Sequence, residues 1–290
     1  MVDPVSITIG AAIGGAAGAF TKEVWDLGKN WIHSYFKDHN PKAIAKAEQN
    51  SLDFLAELAQ RVKTLEEQGA QQKKVIEDSL NQPDFSILLQ KAILSSAQTE
   101  DKGKHEILAR LVADRLTQDT ESLLALCSKQ AVDVIPMLNE RQMKILAFLT
   151  TIFFLRPQPF PPPNIANHNT VLNMWCQQWL ERRLTIYQDL VVHNLDYLHL
   201  ESLSCIKWDP IVSRNLAQIL KFETDTKFKF DVNAFLKTPV GSKINELWNA
   251  GLKSALPTTV GQVIGAYTSD HLLGTVTSFD GFGESQVTES

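Results

Sequence analysis

Residues 138–155 read LNERQMKILAFLTTIFFL, and this stretch decides the fold class. Asn139 is typical of a helix N-cap, and Gln142 stands three residues later, where its side chain can complete a capping box. Leu138 and Met143 occupy the positions of a hydrophobic staple. The apolar run Ile145–Leu155 is too short to span a bilayer. We therefore predict a helix that lies in the core of a folded domain.

Helical periodicity continues on both sides of this stretch. Apolar residues recur at spacings of three and four in segments 52–65, 85–96 and 107–135 before it, and 172–200 and 240–267 after it. Proline or glycine separates most of these segments. The sequence predicts a mainly α protein built as a helical bundle.

One segment follows a different period. From Phe222 to Val232, large or β-branched side chains alternate strictly with charged ones, and this pattern is typical of a strand or a small hairpin. We predict a small β element within a winged-helix-like C-terminal part.

The proline-rich segment 156–163 suggests a boundary, because consecutive prolines form a stiff connection. We predict four regions. They are a Gly/Ala-rich zipper and amphipathic aromatic helix at 1–40, a helical body at 41–156, a helical domain with a β element at 164–274, and a flexible tail at 275–290.

Composition limits the classes of partner and the compartment. The 28 basic residues nearly balance the 33 acidic ones, and the net charge of -5 gives no strong signal for nucleic-acid binding. Cys127, Cys176 and Cys205 are odd in number and lie among apolar neighbours, which favours free thiols in a reducing compartment. We predict a cytoplasmic protein that can associate with the inner membrane.

No recognisable catalytic motif occurs in the sequence. It contains no G-x-S-x-G elbow, P-loop, Rossmann glycine fingerprint or C-x-x-C pair. His193, Asp196 and His199 could share a helix face, but metal signatures use histidines four residues apart, so we interpret this trio as structural or solvated. We predict no enzymatic activity, cofactor or metal. An enzyme would require a polar pocket that periodicity cannot reveal.

The N-terminus carries a glycine zipper, GAAIGGAAG, in which Gly10, Gly14 and Gly18 stand four residues apart. On a helix they form a strip without Cβ atoms, along which another helix can approach closely. One interpretation is self-association into a homo-oligomer on membrane lipid, with Trp25 and Trp31 at the headgroup level. The other is a soluble hairpin in which the same glycines let two helices touch.

Several short motifs support a family resemblance. They are Pro83-Asp84-Phe85, Ala97-Gln98, Leu111-Val112-Ala113-Asp114-Arg115, Leu138-Asn139-Glu140-Arg141-Gln142, Thr238-Pro239-Val240-Gly241 and Leu256-Pro257-Thr258-Thr259-Val260-Gly261. In this order they resemble a family of uncharacterised bacterial helical proteins known mainly by locus designations. More loosely, the arrangement is similar to the abortive-infection alpha group, which implies a Gly/Ala-rich N-terminus and a C-terminal winged-helix-like part. The resemblance assigns no functional residues.

Two functional hypotheses follow. In the first, the protein is a non-enzymatic bacterial defence or toxin-like effector, whose helical body responds to a protein partner or trigger. Its zipper helix then self-assembles and perturbs the inner membrane. In the second, it is a soluble protein-interaction or regulatory module, and Gly10, Gly14 and Gly18 pack against its body.

Overall fold

The computed structural model describes residues 15–119, 121–165, 168–222, 228–279 and 286–288. The chain divides into two compact units, Met1–Leu138 and Asn139–Ser290. Within the described ranges there are 13 α-helices and, toward the C-terminus, a small two-stranded antiparallel sheet. The predicted fold class, mainly α with a small β element, is therefore confirmed.

The first unit contains six described helices. They are α1 (Gly15–Tyr35), α2 (Pro41–Glu67), α3 (Ala70–Ser79), α4 (Pro83–Ala97), α5 (Lys102–Arg115) and α6 (Leu123–Val134). Side-chain caps begin three of them: the oxygens of Asn40, Asp101 and Ser122 accept the N–H groups of residues 42, 104 and 125.

Helix α2 organises the interior of the first unit, packing against α1, α4 and α5. The stripe predicted for this helix is buried at its centre, where Leu55, Leu58 and Val62 are at most 1% exposed. Asn50 donates from Nδ2 to the carbonyl of Ala97 at 3.1 Å, which satisfies an acceptor at the end of α4.

The second unit contains seven described helices and five short strands. The helices are α7 (Glu140–Phe153), α8 (Asn169–Leu184), α9 (Asn194–Ser202), α10 (Leu216–Ile219), α11 (Val232–Phe235), α12 (Pro239–Asn249) and α13 (Thr259–Leu273). The strands are β1 (Arg156–Gln158), β2 (Ile206–Trp208), β3 (Ala255–Pro257), β4 (Val276–Ser278) and β5 (Gln286–Thr288).

The pair α7 and α13 forms the centre of the second unit. In α7, residues Ile145–Leu149 and Ile152 have no exposed side-chain surface. The capping box of Asn139 and Gln142 is present in full, so both the start signal and the core position of this helix are confirmed. On α13, Gly265 lies against the carbonyl oxygen of Leu146, which brings the two backbones into close contact.

Five short strands are described outside the alternating segment 222–232. β2 pairs antiparallel with β3, opposing Ile206 to Pro257, and β5 lies between β1 and β4. Among the described residues of the 222–232 segment, Phe222, Phe228 and Phe230 are buried. However, the N–H of Phe230 bonds the carbonyl of Phe222, and Val232 begins α11. Residues 223–227, the middle of the predicted strand or hairpin, lie outside the described residues, and Lys229 beside them is a β-bridge residue.

Two observed boundaries differ from the predicted regions. The two units divide between Leu138 and Asn139 and not in the proline-rich segment. The physical reason is that α7 packs along α13 and so belongs to the C-terminal unit. Within the segment predicted as a tail, residues 276–278 and 286–288 form strands, and β5 runs parallel to β1.

Candidate functional site

Helix α1 carries the one glycine of the predicted zipper that the structure describes. Gly10 and Gly14 lie outside the described residues, whereas Gly18 is buried in α1. Its neighbours Ala17 and Phe20 are also buried, and α1 packs against α2, α3 and α4. The strip around Gly18 therefore contributes to the interior of the first unit.

The two tryptophans predicted for a membrane interface have different environments. Trp25 is only 4% exposed, and Val24 and Ile32 beside it on α1 are fully buried. Trp31 is half-buried. A Cβ atom on Gly28, one turn after Val24, would lie 3.0 Å from Cδ1 of Ile93, so the helices approach closely here. In this position Trp25 fills the core of the first unit.

The carboxylate of Glu66 binds the first turn of α1. The N–H of Ala16 donates to Oε1 at 2.8 Å, and the N–H of Ala17 donates to Oε2 at 3.0 Å. These are N–H groups that the first turn of a helix leaves without intrahelical partners, and the positive end of the helix dipole faces the same carboxylate. The bonds from Ala17 and Ala16 lower the pKa of Glu66.

Replacing Glu66 with glutamine tests this contact. Glutamine keeps the size but has only one acceptor oxygen and no charge, so we expect a loss of about 0.5 to 2 kcal/mol at pH 7, as for other helix caps. The pKa of Glu66 is lower in the folded state, so its contribution is present above the unfolded pKa of about 4.3. It is lost as the pH falls through the lowered folded-state pKa.

Urea denaturation of the parent and Glu66→Gln at pH 7 and at acidic pH measures both effects. We expect the difference in unfolding free energy to shrink toward zero at acidic pH. Glu67→Gln is the matched control, because Glu67 is exposed and should change stability little. An equal effect of Glu66→Gln at both pH values would contradict a role for its charge.

Metal ligands, thiols and membrane spans were three further kinds of candidate feature among the described residues. Across them, no group of three or more His, Cys, Asp or Glu side chains is placed to hold a metal ion. Burial raises the pKa values of Cys176 and Cys205 to about 12, which leaves both thiols protonated and poorly nucleophilic. No helix in the described ranges has both the length and the hydropathy needed to cross a bilayer.

The motif at residues 139–142 joins two helix N-termini through Asp196. Asp196 is 2% exposed, and its Oδ2 accepts the N–H of His193 at the start of α9. Its Oδ1 accepts from Arg141 Nη2 at 3.0 Å and from Gln142 Nε2 at 3.4 Å. Gln142 Nε2 also lies 2.9 Å from Nδ1 of His199. We call these five residues the Asp196 cluster.

The Asp196 cluster shows the environment of His193, Asp196 and His199, the trio considered in the sequence analysis. Asp196 and His199 do come together, but Gln142 of α7 lies between them, and Asp196 serves as a helix cap. Sequence reasoning missed the partners, because Gln142 and Asp196 are 54 positions apart. The one sequence signal for this cluster was the capping box at Asn139, because it shows where α7 begins and which side chains lie in its first turn.

We expect Asp196→Ala to destabilise the second unit by about 2 kcal/mol. The change leaves the N–H of His193 and the amide of Gln142 buried without their charged acceptor, and such bonds contribute about 1.5 to 3 kcal/mol. Denaturant unfolding measures the loss. Asp189→Ala, which removes an exposed carboxylate in the same unit, should stay within about 0.5 kcal/mol of the parent. Equal effects would disprove the capping role.

Two other motifs repeat one structural device, a threonine N-cap followed three residues later by glycine. Thr238 and Thr258 accept the N–H groups of Gly241 and Gly261 at 3.1 and 3.2 Å. A Cβ atom on Gly241 would lie 2.1 Å from the carbonyl oxygen of Phe235. On Gly261 it would lie 1.9 Å from that of Cys205. Both glycines are required by close backbone packing and not by chemistry.

An open cleft of about 390 Å³ lies beside the Asp196 cluster in the second unit. Its lining consists of Glu140, Arg141, Lys144, Ile186, Asp189, Leu190 and Val191. Lys144 pairs with Glu140 at 2.6 Å and Arg141 pairs with Asp196. Its lining therefore combines charged side chains with the aliphatic ones of Ile186, Leu190 and Val191.

Exposed aliphatic side chains lie in the cleft wall and on α9. Ile186 and Val191 in its wall are 37% and 58% exposed, and Leu195 and Leu198 on α9 are 75% and 50% exposed. The ion pair between Arg141 and Asp196 links α9 to the first turn of α7, which lines the cleft. A concentration of exposed apolar side chains with charged neighbours is characteristic of protein-binding surfaces.

Comparison with protein families gives a match over most of the chain. A protein-family model whose description reads only "-like", and names no activity, matches residues 18–233. No curated protein and no solved structure matches the chain. The matched range includes α1 from Gly18 onward, the Asp196 cluster and the cleft.

Proposed function

The chain belongs to the family whose model covers residues 18–233, an uncharacterised family known by locus designations, and from this premise we propose that it is a non-enzymatic helical protein-interaction module. Helix α1 is then a structural part of the first unit. The second unit offers the binding surface, at the cleft and the exposed aliphatic side chains around it.

One observation carries this proposal, namely the position of α1. Gly18 and Trp25 are the zipper and aromatic residues expected to act on a membrane, and both are buried within the first unit. The contacts of Glu66 with Ala16 and Ala17 hold the first turn of the same helix. Moving α1 into a bilayer would expose the core that it covers, at about 25 cal/mol for each Å² of apolar surface.

Cell fractionation tests the proposal. The full chain is compared with a chain that lacks residues 1–14, a deletion that leaves α1 and its contact with Glu66 intact. We expect both chains in the soluble fraction, in resting and phage-challenged cells, with equal melting temperatures. Recovery of the full chain with the inner membrane, and of the shortened chain in the soluble fraction, would overturn the interaction proposal.

A second candidate is the self-assembling defence effector, related by analogy to the abortive-infection alpha group. The observation that favours it is that a single half-buried carboxylate, Glu66, binds the first N–H groups of α1. Such a contact can be broken by protonation or by a competing partner. Release of α1 would then free the apolar, Gly/Ala-rich N-terminus for membrane contact.

Two variants distinguish the candidates. If the zipper drives assembly, Gly14→Leu should abolish oligomerisation and toxicity, because association depends on close helix packing. Ile13→Leu, which nearly conserves volume, should be tolerated. If α1 is only structural, Gly14→Leu changes neither oligomer size nor membrane partition, although it can lower stability. Thermal stability, oligomer size and membrane partition are measured on the same samples.

A further inference from the structure

We propose that the protein self-associates through its second unit, with the loop at residues 209–214 of one copy inserting Ile211 into the cleft of another copy. The proposal rests on the interaction role given to the cleft above, and it names a second copy of this chain as the occupant. It does not involve the glycine zipper. Four features support it: the rigidity of the loop, its exposed tip, the apolar cleft and the charges on both surfaces.

The 209–214 loop is held rigidly at its base. The N–H of Asp209 donates to the carbonyl of Ser254 at 3.1 Å, and Ser254 Oγ donates to the carbonyl of Val212 at 2.8 Å. The N–H of Arg214 donates to the carbonyl of Lys253 at 3.1 Å. Trp248, through Nε1, donates to the carbonyl of Arg214 at 2.8 Å. The loop is therefore bound on both sides to the segment that leads into β3.

Hydrogen bonds also fix the tip of the loop. Asp209 accepts the N–H of Ile211 through Oδ1 at 2.9 Å, and its carbonyl accepts the N–H of Val212 at 3.1 Å. This turn presents Ile211 at 92% exposure, the highest among the large hydrophobic side chains of the described residues. Because the turn is already ordered, insertion of Ile211 into a pocket costs little conformational entropy.

The cleft provides the complementary apolar surface. Ile186, Leu190 and Val191 form its aliphatic wall, and its volume of about 390 Å³ falls within the range of roughly 300 to 1,000 Å³ of protein binding pockets. The 92% exposure of Ile211 shows that the loop does not fill the cleft of its own chain. Each copy therefore presents both an exposed aliphatic side chain and a site to receive one.

The charges on the two surfaces are opposite in sign. In the cleft, Lys144 and Arg141 already pair with carboxylates, and the charge left at the rim is that of Asp189. At the base of the loop, the carboxylates of Asp209 and Glu201 accept backbone N–H groups.

Three cations surround that base, at Lys207, Arg214 and Lys253. Across the described residues, no carboxylate lies within ion-pair distance of Lys207 or Lys253. Lys243 pairs with Glu246 at 2.9 Å, and Glu246 raises the pKa of Lys243, with a smaller contribution from Asp189. Against the two carboxylates of Asp209 and Glu201, the three cations leave one net positive charge at the loop base, which attracts the carboxylate of Asp189 at the cleft rim.

Docking a loop into a cleft joins two different surfaces of the chain. Such a heterologous contact leaves one loop and one cleft unoccupied in a pair, so association continues until a ring closes or a filament grows. One loop tip in one cleft is a single point of contact, so we expect the association to be weak and concentration-dependent.

Sedimentation velocity of the full chain at increasing concentration tests the proposal. We expect the parent to self-associate, and Ile211→Asp to weaken the association at least about tenfold, as expected for the central residue of an interface. Val191→Asp in the cleft should do the same. Both positions are exposed, so circular dichroism and melting temperature should match the parent.

Mixing the two variants gives the decisive result. Ile211→Asp retains an intact cleft and Val191→Asp retains an intact loop, so an equimolar mixture should form dimers that do not grow further. A parent that stays monomeric at the highest concentration, or an Ile211→Asp variant that associates like the parent, would overturn the proposal.

The chain lacking residues 1–14 separates this proposal from the zipper and from the proposed function. We expect it to associate like the parent, whereas loss of association in this chain alone would assign self-assembly to the N-terminus and reject the loop. Membrane recovery of the full chain would refute the proposed function. Monomeric behaviour in the soluble fraction would refute only the loop and cleft contact.

Discussion

Gly265→Ala is expected to destabilise the second unit by about 3 kcal/mol, the upper end of the usual range for an overpacked core. A Cβ atom at this position would lie 2.2 Å from Thr150 Oγ1 and 2.4 Å from the carbonyl oxygen of Leu146. The threonine side chain could rotate, but the carbonyl belongs to the backbone of α7. The new methyl group can be accommodated only if α7 and α13 separate, which loosens the centre of the unit.

Gly28→Ala in α1 is the matched control. There the added Cβ would meet Cδ1 of Ile93 at 3.0 Å, at the far end of a side chain that can shift. Alanine also gains close to 1 kcal/mol in helix propensity over glycine, which offsets the crowding. We expect a net change within about 0.5 kcal/mol in urea denaturation. Equal losses in the two variants would show that the α7 and α13 backbones are not in close contact.

Ile145→Ala is expected to cost about 2 to 5 kcal/mol, because it deletes a fully buried aliphatic side chain at the centre of α7. The cost combines the lost burial of three carbon atoms with the cavity that they leave. Denaturant unfolding with an unchanged m-value measures it. The change should act through stability alone, since no polar group lies at this position.

Ile87→Ala on α4 provides the comparison for this prediction. Ile87 is also helical but 56% exposed, so the same truncation there should stay within about 0.5 kcal/mol. A loss below about 0.5 kcal/mol in Ile145→Ala would mean that this position is not part of the core.

The sequence predicted the features that depend on local order. The start of α7 follows from Asn139 and Gln142, which are three residues apart, and the buried faces of α2 and α7 follow from helical periodicity. The alternation in the 222–232 segment correctly indicated which side chains are buried, since Phe222, Phe228 and Phe230 are all buried. The antiparallel strands Ile206–Trp208 and Ala255–Pro257 could not be predicted, because each is too short to show a period.

The candidate sites could not be predicted, because they join residues far apart in the chain. Glu66 binds the N–H of Ala16, which lies 50 positions earlier in the chain, and Gln142 contacts Asp196, which lies 54 positions later. The cleft combines the first turn of α7 with residues 186–191, and no spacing rule connects them. The environment of Trp25 could not be predicted either. Periodicity shows that α1 is amphipathic, but the packing of α1 against three other helices determines which of its faces is exposed to water.

The carboxylate of Asp196 has a consequence for how the second unit opens. It caps α9 through His193 and receives Arg141 and Gln142 from the first turn of α7, so one buried charge serves two helix ends. Fraying of either helix end would leave the buried carboxylate of Asp196 with too few hydrogen-bond donors. The two ends should therefore exchange their amide hydrogens with a shared opening free energy, as one cooperative segment of the native state.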